Sequence, residues 1–122
     1  MPESGPEPLP VVSFDTFQKL DIRCGMVIAA EPFPEARKPS LKLNVDFGPP
    51  LGVRQSSAQL TLHYTPKRLV GQEVLAVVNF PPRRIAGYSS EVLVLGLVRA
   101  DDPADVVLVH SDQPGTRGRR LA

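Results

Sequence analysis

Fourteen prolines punctuate a chain of 122 residues and restrict it to short elements. Each proline fixes φ and removes a backbone N–H, so neither a long helix nor a central strand runs through it. A helical bundle is therefore disfavoured, and strands with turns remain. The clearest strand is residues 41–47. Leu41, Leu43, Val45 and Phe47 fall on one side and Lys42, Asn44 and Asp46 on the other, the alternation of a half-buried antiparallel strand. Further strands are predicted over residues 22–30, 51–58, 74–80, 92–98 and 106–111, with turns at Gly48-Pro49-Pro50 and Asp101-Asp102-Pro103. Gly25 inside the first of them marks a bulge or a close approach. Ser13 is placed to cap a short helix over residues 14–20, whose Phe14 and Phe17 lie one turn apart. Residues 61–69 read as a short helix or helical turns ended near Gly71. Strands at this spacing, with a helix between the third and fourth, fit a small closed barrel; pattern alone leaves a small sandwich open.

Charge excludes a globally basic nucleic-acid binder, because fourteen Lys and Arg stand against thirteen Asp and Glu for a net +1. The cations nevertheless cluster, at Arg37, Lys38 and Lys42, at Lys67 and Arg68, at Arg83 and Arg84, and at Arg117, Arg119 and Arg120. A local basic patch and a mixed soluble surface are both compatible with that distribution. His63 and His110 stand far apart and Cys24 is the single cysteine, so no metal-ligand spacing and no intramolecular disulfide exists. Cys24 reads as a buried core thiol. The serines have no His and Asp in a recognisable triad context, and no glycine-rich phosphate loop is present. Nothing gives a positive reason to assign catalysis, and no cofactor is implied. No signal-peptide pattern and no long apolar span is visible, so a cytoplasmic, non-inserted protein is expected.

The segment from Val78 to Glu91 carries the most polar detail: Val-Asn-Phe-Pro-Pro-Arg-Arg-Ile-Ala-Gly-Tyr-Ser-Ser-Glu. Pro81 and Pro82 end the preceding strand and stiffen the exit, which limits where Arg83 and Arg84 point. Guanidiniums held in this way suit bidentate contact with phosphate or carboxylate. Solvating an exposed loop is the plainer role for them. This segment, together with Leu20-Asp21-Ile22-Arg23, Phe33-Pro34-Glu35-Ala36-Arg37, Gln55-Ser56-Ser57-Ala58-Gln59 and residues 90–96, resembles the CsaA-type secretion chaperones. Their barrel is also the tRNA-binding domain appended to some methionyl-tRNA synthetases and to endothelial-monocyte-activating-polypeptide-like proteins. The resemblance runs in register from about Phe14 to Pro114.

That resemblance implies an all-β fold, a five-stranded OB-fold barrel with short helices and terminal extensions. Residues 1–12 are then a flexible tail, residues 13–116 the barrel domain and residues 117–122 a basic tail. It implies a non-catalytic, homodimeric chaperone for unfolded or presecretory polypeptides, related to protein export. The alternative is a structure-specific tRNA binder using the same barrel. The RNA-binding candidates are Lys42, Arg54, Asn79, Arg83, Arg84, Ser90 and Glu91. Of these, Asn79, Arg84, Ser90 and Glu91 match the family's polar skeleton, and Glu91 is expected to pair with a nearby arginine. Pro81-Pro82-Arg83-Arg84 and Glu91-Val92-Leu93 depart from the synthetase-appended form and follow the chaperone branch. The peptide-binding candidates are Phe33, Pro82, Ile85 and Tyr88. Phe33, Ile85 and Tyr88 read equally as core, whereas Phe80 reads as closing a barrel end. Phe14 and Phe17 are the dimerisation candidates, since the family pairs through terminal segments.

Overall fold

The computed structural model describes residues 5–122. The first four residues of the expected N-terminal tail lie outside the described residues; residues 5–12 form no helix or strand and are exposed. Helix α1 (Phe14–Gln18) follows, capped by Ser13, whose hydroxyl accepts from the Thr16 N–H at 3.4 Å. None of its residues is buried.

Strand β1 (Ile22–Pro32) is the central strand. β2 (Leu41–Asp46) runs antiparallel beside its second half, and β3 (Val53–Ala58) beside β2. Helix α2 (Pro66–Leu69), capped by Thr65, then delivers Leu69 into the core and leads to β4 (Glu73–Val77), which pairs with the first half of β1. A small hairpin follows, β5 (Arg83–Ile85) and β6 (Tyr88–Ser90), then β7 (Leu93–Val94) against β4. The last pair is β8 (Gly96–Arg99) with β9 (Asp102–Leu108). The main sheet has five strands in the order β3-β2-β1-β4-β7 and curls into a nearly closed antiparallel barrel, the all-β OB-like fold expected. Its interior is packed by Val27, Leu43, Val45, Phe47, Leu69 and Val74, all of them fully buried.

The alternation predicted for residues 41–47 is observed, with Leu41, Leu43, Val45 and Phe47 buried. Gly25 is a close approach: a Cβ there would lie 2.5 Å from Val45 Cγ1 and 2.7 Å from the Phe47 ring. The bulge falls instead between Val27 and Ala29. The single strand predicted over residues 92–98 is broken at Leu95. Its N–H donates to Leu75 of β4 at 2.8 Å while its carbonyl accepts from Val109, so the chain changes partners there. The final strand begins earlier than predicted, at Asp102, with Pro103 inside it. Phe80, expected to close a barrel end, is 44% exposed.

Residues 117–121 lie along β1. The Cys24 N–H donates to the Arg119 carbonyl, and the N–H groups of Gly118 and Leu121 donate to the carbonyls of Cys24 and Ile22. Arg120 and Arg23 both grip Asp21, whose carboxyl is held below its ordinary value, first by Arg23 and, against a burial effect, also by Arg120. Cys24 is buried, and burial pushes its thiol up.

Candidate binding surface

The polar segment after β4 contains a tight hairpin. Ala86 and Gly87 have φ of 47° and 80°, the paired positive values of a type I′ turn that matches strand twist. Ala86 lacks the Asn or Asp that usually marks this turn, so the local sequence does not announce it. The register sets Arg83 opposite Ser90, Arg84 opposite Ser89, and Ile85 opposite Tyr88. Side chains alternate along a strand, so Arg83 shares a face with Ile85, Tyr88 and Ser90, while Arg84 addresses the other. The adjacent arginines do not form one clamp. Both are exposed, and no described residue holds either guanidinium.

The hairpin is fastened to the free edge of β3, and this closes the barrel. Gln55 N–H donates to Glu91 Oε1 at 2.9 Å, and Glu91 N–H donates to the Gln55 carbonyl at 2.8 Å. Ser57 N–H donates to Ser90 Oγ at 3.0 Å, Gln55 Nε2 to the Ser89 carbonyl at 2.7 Å, and buried Ser56 Oγ to the Val92 carbonyl at 2.9 Å. Side chains thus complete a ladder to which backbone pairing contributes the Glu91–Gln55 bond. Glu91 pairs with backbone here, in place of the arginine expected. Asn79 is a clamp of the same kind: its Oδ1 accepts from the Asp21 N–H at 2.9 Å and its Nδ2 donates to the Lys19 carbonyl at 2.7 Å, tying α1 to the end of β4.

Glu91→Ala should destabilise the protein by about 1.5–3 kcal/mol, because it leaves the Gln55 N–H without its charged acceptor. Glu91→Gln keeps an acceptor and should lose less than half as much in urea unfolding. Equal losses from the two substitutions would contradict this bond as the source.

The outward positions of β1, β2 and β3 carry a groove of about 260 Å³ lined by Ala29, Ala30, Glu31, Lys42, Asn44, Gln55 and Tyr88. The register explains it, since Glu31, Lys42 and Ser57 form one cross-strand row and Ala29, Asn44 and Gln55 the next. Lys42 Nζ sits 4.8 Å from the Phe33 ring centroid and 5.0 Å from that of Tyr88, and the two rings meet edge-to-face at 5.3 Å. A cation is thereby fixed against aromatic faces at the groove wall. Burial pushes the Tyr88 phenol up, with Glu31 and Glu91 adding to the effect. Phe33 is buried beneath, Ile85 and Tyr88 are half-buried, and Pro82 is exposed. Arg54 does not join Lys42: it lies opposite inward-facing Val45, and its Nε donates to the Leu51 carbonyl at 3.2 Å. The structure therefore brings Lys42, Phe33 and Tyr88 together, with Arg83 on the face that Tyr88 shares. Asn44, Gln55 and Glu31 were not among the binding candidates read from sequence, although Asn44 stands on the same polar side of β2 as Lys42. A larger cleft, of about 590 Å³, lies elsewhere between Gln72, Glu73, His110, Asp112 and Arg117, and no motif announced it. Among the described residues no group of His, Cys, Asp and Glu is arranged to hold a metal, and no helix is long and apolar enough to cross a membrane.

Comparison with known proteins agrees with this geometry. The family model described as "Putative tRNA binding domain" matches residues 22–120. The chaperone CsaA of Bacillus anthracis str. Ames superposes with a TM-score of 0.86 at 48% identity, covering 93% of this chain and 100% of that one. The CsaA chaperone protein of Picrophilus torridus gives 0.84 at 41% identity, covering 92% of this chain and 100% of that one. The methionine–tRNA ligase of Chlorobium chlorochromatii (strain CaD3) is 41% identical over 98% of this chain, which spans only 16% of that enzyme's length.

Proposed function

We propose that this chain, which belongs to the tRNA-binding-domain family, is a non-catalytic, homodimeric, cytoplasmic chaperone that holds unfolded or presecretory polypeptide and is related to protein export. The observation that carries this reading is its likeness to the Bacillus anthracis chaperone over that protein's full length. Its surface supports the reading. Phe14 is 69% exposed and lies 5.9 Å from half-buried Phe17, so among the described residues α1 presents a largely uncovered apolar edge. The cross-strand pair Leu97 and Val107 leaves a second exposed apolar face on the β8–β9 pair. The first suits a second copy, and Ile85, Pro82 and Tyr88 offer rigid apolar edges for client segments.

A second reading, binding of structured tRNA by the same barrel, is favoured by one feature. Lys42 is held against Phe33 and Tyr88 on the outer strand face, where OB barrels present cations and stacking rings.

Sedimentation and client-aggregation assays test the first reading together. The wild-type chain should sediment as a dimer at micromolar concentration and suppress aggregation of an unfolded client at moderate salt. Replacing Phe14 and Phe17 by Ser should weaken the dimer by about tenfold or more, given about 1.5–3 kcal/mol for a fully buried aromatic. A monomeric wild type removes the dimer, and a wild type without suppression removes the chaperone role.

A further inference from the structure

Strand β1 is served unevenly on its two sides. β4 lines one side over residues 22–26, and β2 lines the other over residues 26–32. Opposite β4, the edge of β1 at residues 22–24 has no partner from β2, because that strand ends at Asp46. The arm of residues 117–121 fills this gap with the three backbone hydrogen bonds to Ile22 and Cys24 and an antiparallel bridge between Arg23 and Arg120. Little else holds it. None of residues 117–121 is buried, and its ion pairs, Arg120 with Asp21 at 3.1 Å and Arg117 with Asp46 at 3.2 Å, are made by arginines 62% and 45% exposed. Exposed pairs of this kind contribute little and are screened by salt. Beneath the arm, Ile22 and Cys24 are buried, and Thr116 Oγ1 donates to Cys24 Sγ at 3.3 Å.

We propose that this edge of β1 is a strand-addition site for extended, arginine-bearing polypeptide, and that the arm is its internal competitor. An unpaired strand edge is a template for a further chain, whose backbone supplies affinity and whose side chains supply choice. The edge carries its own specificity. Asp21 and Asp46 stand at its two ends and select cations spaced as Arg117 and Arg120 are. Where the arm crosses the Phe47 carbonyl, Gly118 has φ of 90° and an added Cβ would lie 3.0 Å from that oxygen, which selects glycine. The acidic ends disfavour RNA. Regions held by few buried contacts open first, so arm release precedes any global unfolding. The assignment of clients to this edge rests on the polypeptide-holding role proposed above.

Cys24, the single cysteine, reports on the arm. In the full chain, Arg117→Asp combined with Arg120→Asp should raise the rate of maleimide labelling of Cys24 by about tenfold, since two exposed pairs are lost and repulsion is added. A fluorescent peptide of sequence Thr-Arg-Gly-Arg-Arg-Leu-Ala should bind this variant about tenfold more tightly than wild type and slow its labelling, because the competitor is weakened. The same peptide with its arginines replaced by Asp should do neither. Should the double variant fail to fold, wild type in raised salt gives the same labelling readout. Unchanged labelling in a folded variant overturns the weak hold. Faster labelling without peptide binding or protection overturns the site. Client-aggregation assays separate the two claims. A wild type that never suppresses aggregation defeats the chaperone reading and leaves peptide protection of Cys24 to stand alone. Suppression undiminished by saturating peptide defeats the assignment of clients to this edge.

Discussion

Gly25→Val should leave a chain that barely folds, with a loss of more than about 3 kcal/mol against the roughly 5–15 kcal/mol available to a domain of this size. The cause is a fixed obstacle. A Cβ at position 25 would lie 2.5 Å from Val45 Cγ1 and 2.7 Å from two carbons of the Phe47 ring. Neither neighbour can yield, since Val45 is 0% and Phe47 2% exposed, both packed within the barrel. Backbone movement is restricted as well, because Gly25 pairs with fully buried Val74 of β4. Gly25→Ala meets the same atoms with fewer of its own and should lose about 1–3 kcal/mol. Removing one obstacle tests the mechanism. Val45→Ala opens a cavity and is destabilising alone, yet combined with Gly25→Ala it should cost less than the two separate losses added together, a coupling expected for residues in contact. Urea unfolding of the four chains measures this. Strict additivity, or a Gly25→Ala chain within about 0.5 kcal/mol of wild type, would show that the barrel can widen here.

What was legible in the sequence was what depends on local pattern. The alternation from Leu41 to Phe47 named the buried face of β2, Ser13 named a cap, and Gly25 within a strand marked either a bulge or a close approach, of which the structure shows the second. The OB-like architecture came from the family resemblance that several motifs carry together, since strand spacing alone left a small sandwich open. What was not legible depends on partners distant in sequence. Residues 92–98 have continuous strand character, but Leu95 exchanges β4 for β9, and only the closed barrel dictates where that exchange falls. Asn79, Ser90 and Glu91 were singled out as polar residues of a binding loop. Their polarity is instead taken up within the fold, by the backbone of Lys19, Asp21, Gln55 and Ser57. A side chain that accepts from an orphan strand edge looks the same in sequence as one that awaits a ligand. Arg83 and Arg84 looked like a pair because they are adjacent; the hairpin register separates them. Lys42 was visible as an outward cation, while its seat between Phe33 and Tyr88 required the hairpin to fold back over β2.

Tyr88→Ala should weaken tRNA binding by roughly 5- to 150-fold, the range expected when one base loses about 1–3 kcal/mol of aromatic stacking. Its salt dependence should hardly change, because the ring neutralises no phosphate. Lys42→Ala should behave differently, lowering affinity and reducing the slope of log affinity against log salt by about one. The two losses should not add, since Lys42 is positioned by the ring of Tyr88 at 5.0 Å and by that of Phe33 at 4.8 Å. Removing the Tyr88 ring frees the ammonium and lowers the value of its charge. The arginines extend the test around the hairpin. Arg83 shares the face of Tyr88, so Arg83→Ala should also lower the slope, whereas Arg84→Ala should do so only where RNA reaches the opposite face. Thermal unfolding of each variant separates lost contact from lost structure, a control that Tyr88 needs most because it covers buried Phe33. Neither client site proposed above, the apolar hairpin edge or the edge of β1, uses Lys42, so Lys42→Ala should leave aggregation suppression intact at moderate salt. Folded Tyr88→Ala and Lys42→Ala chains that bind tRNA with wild-type affinity and slope would move the RNA site off this strand face altogether, and a wild type without detectable binding at low salt would remove the tRNA reading.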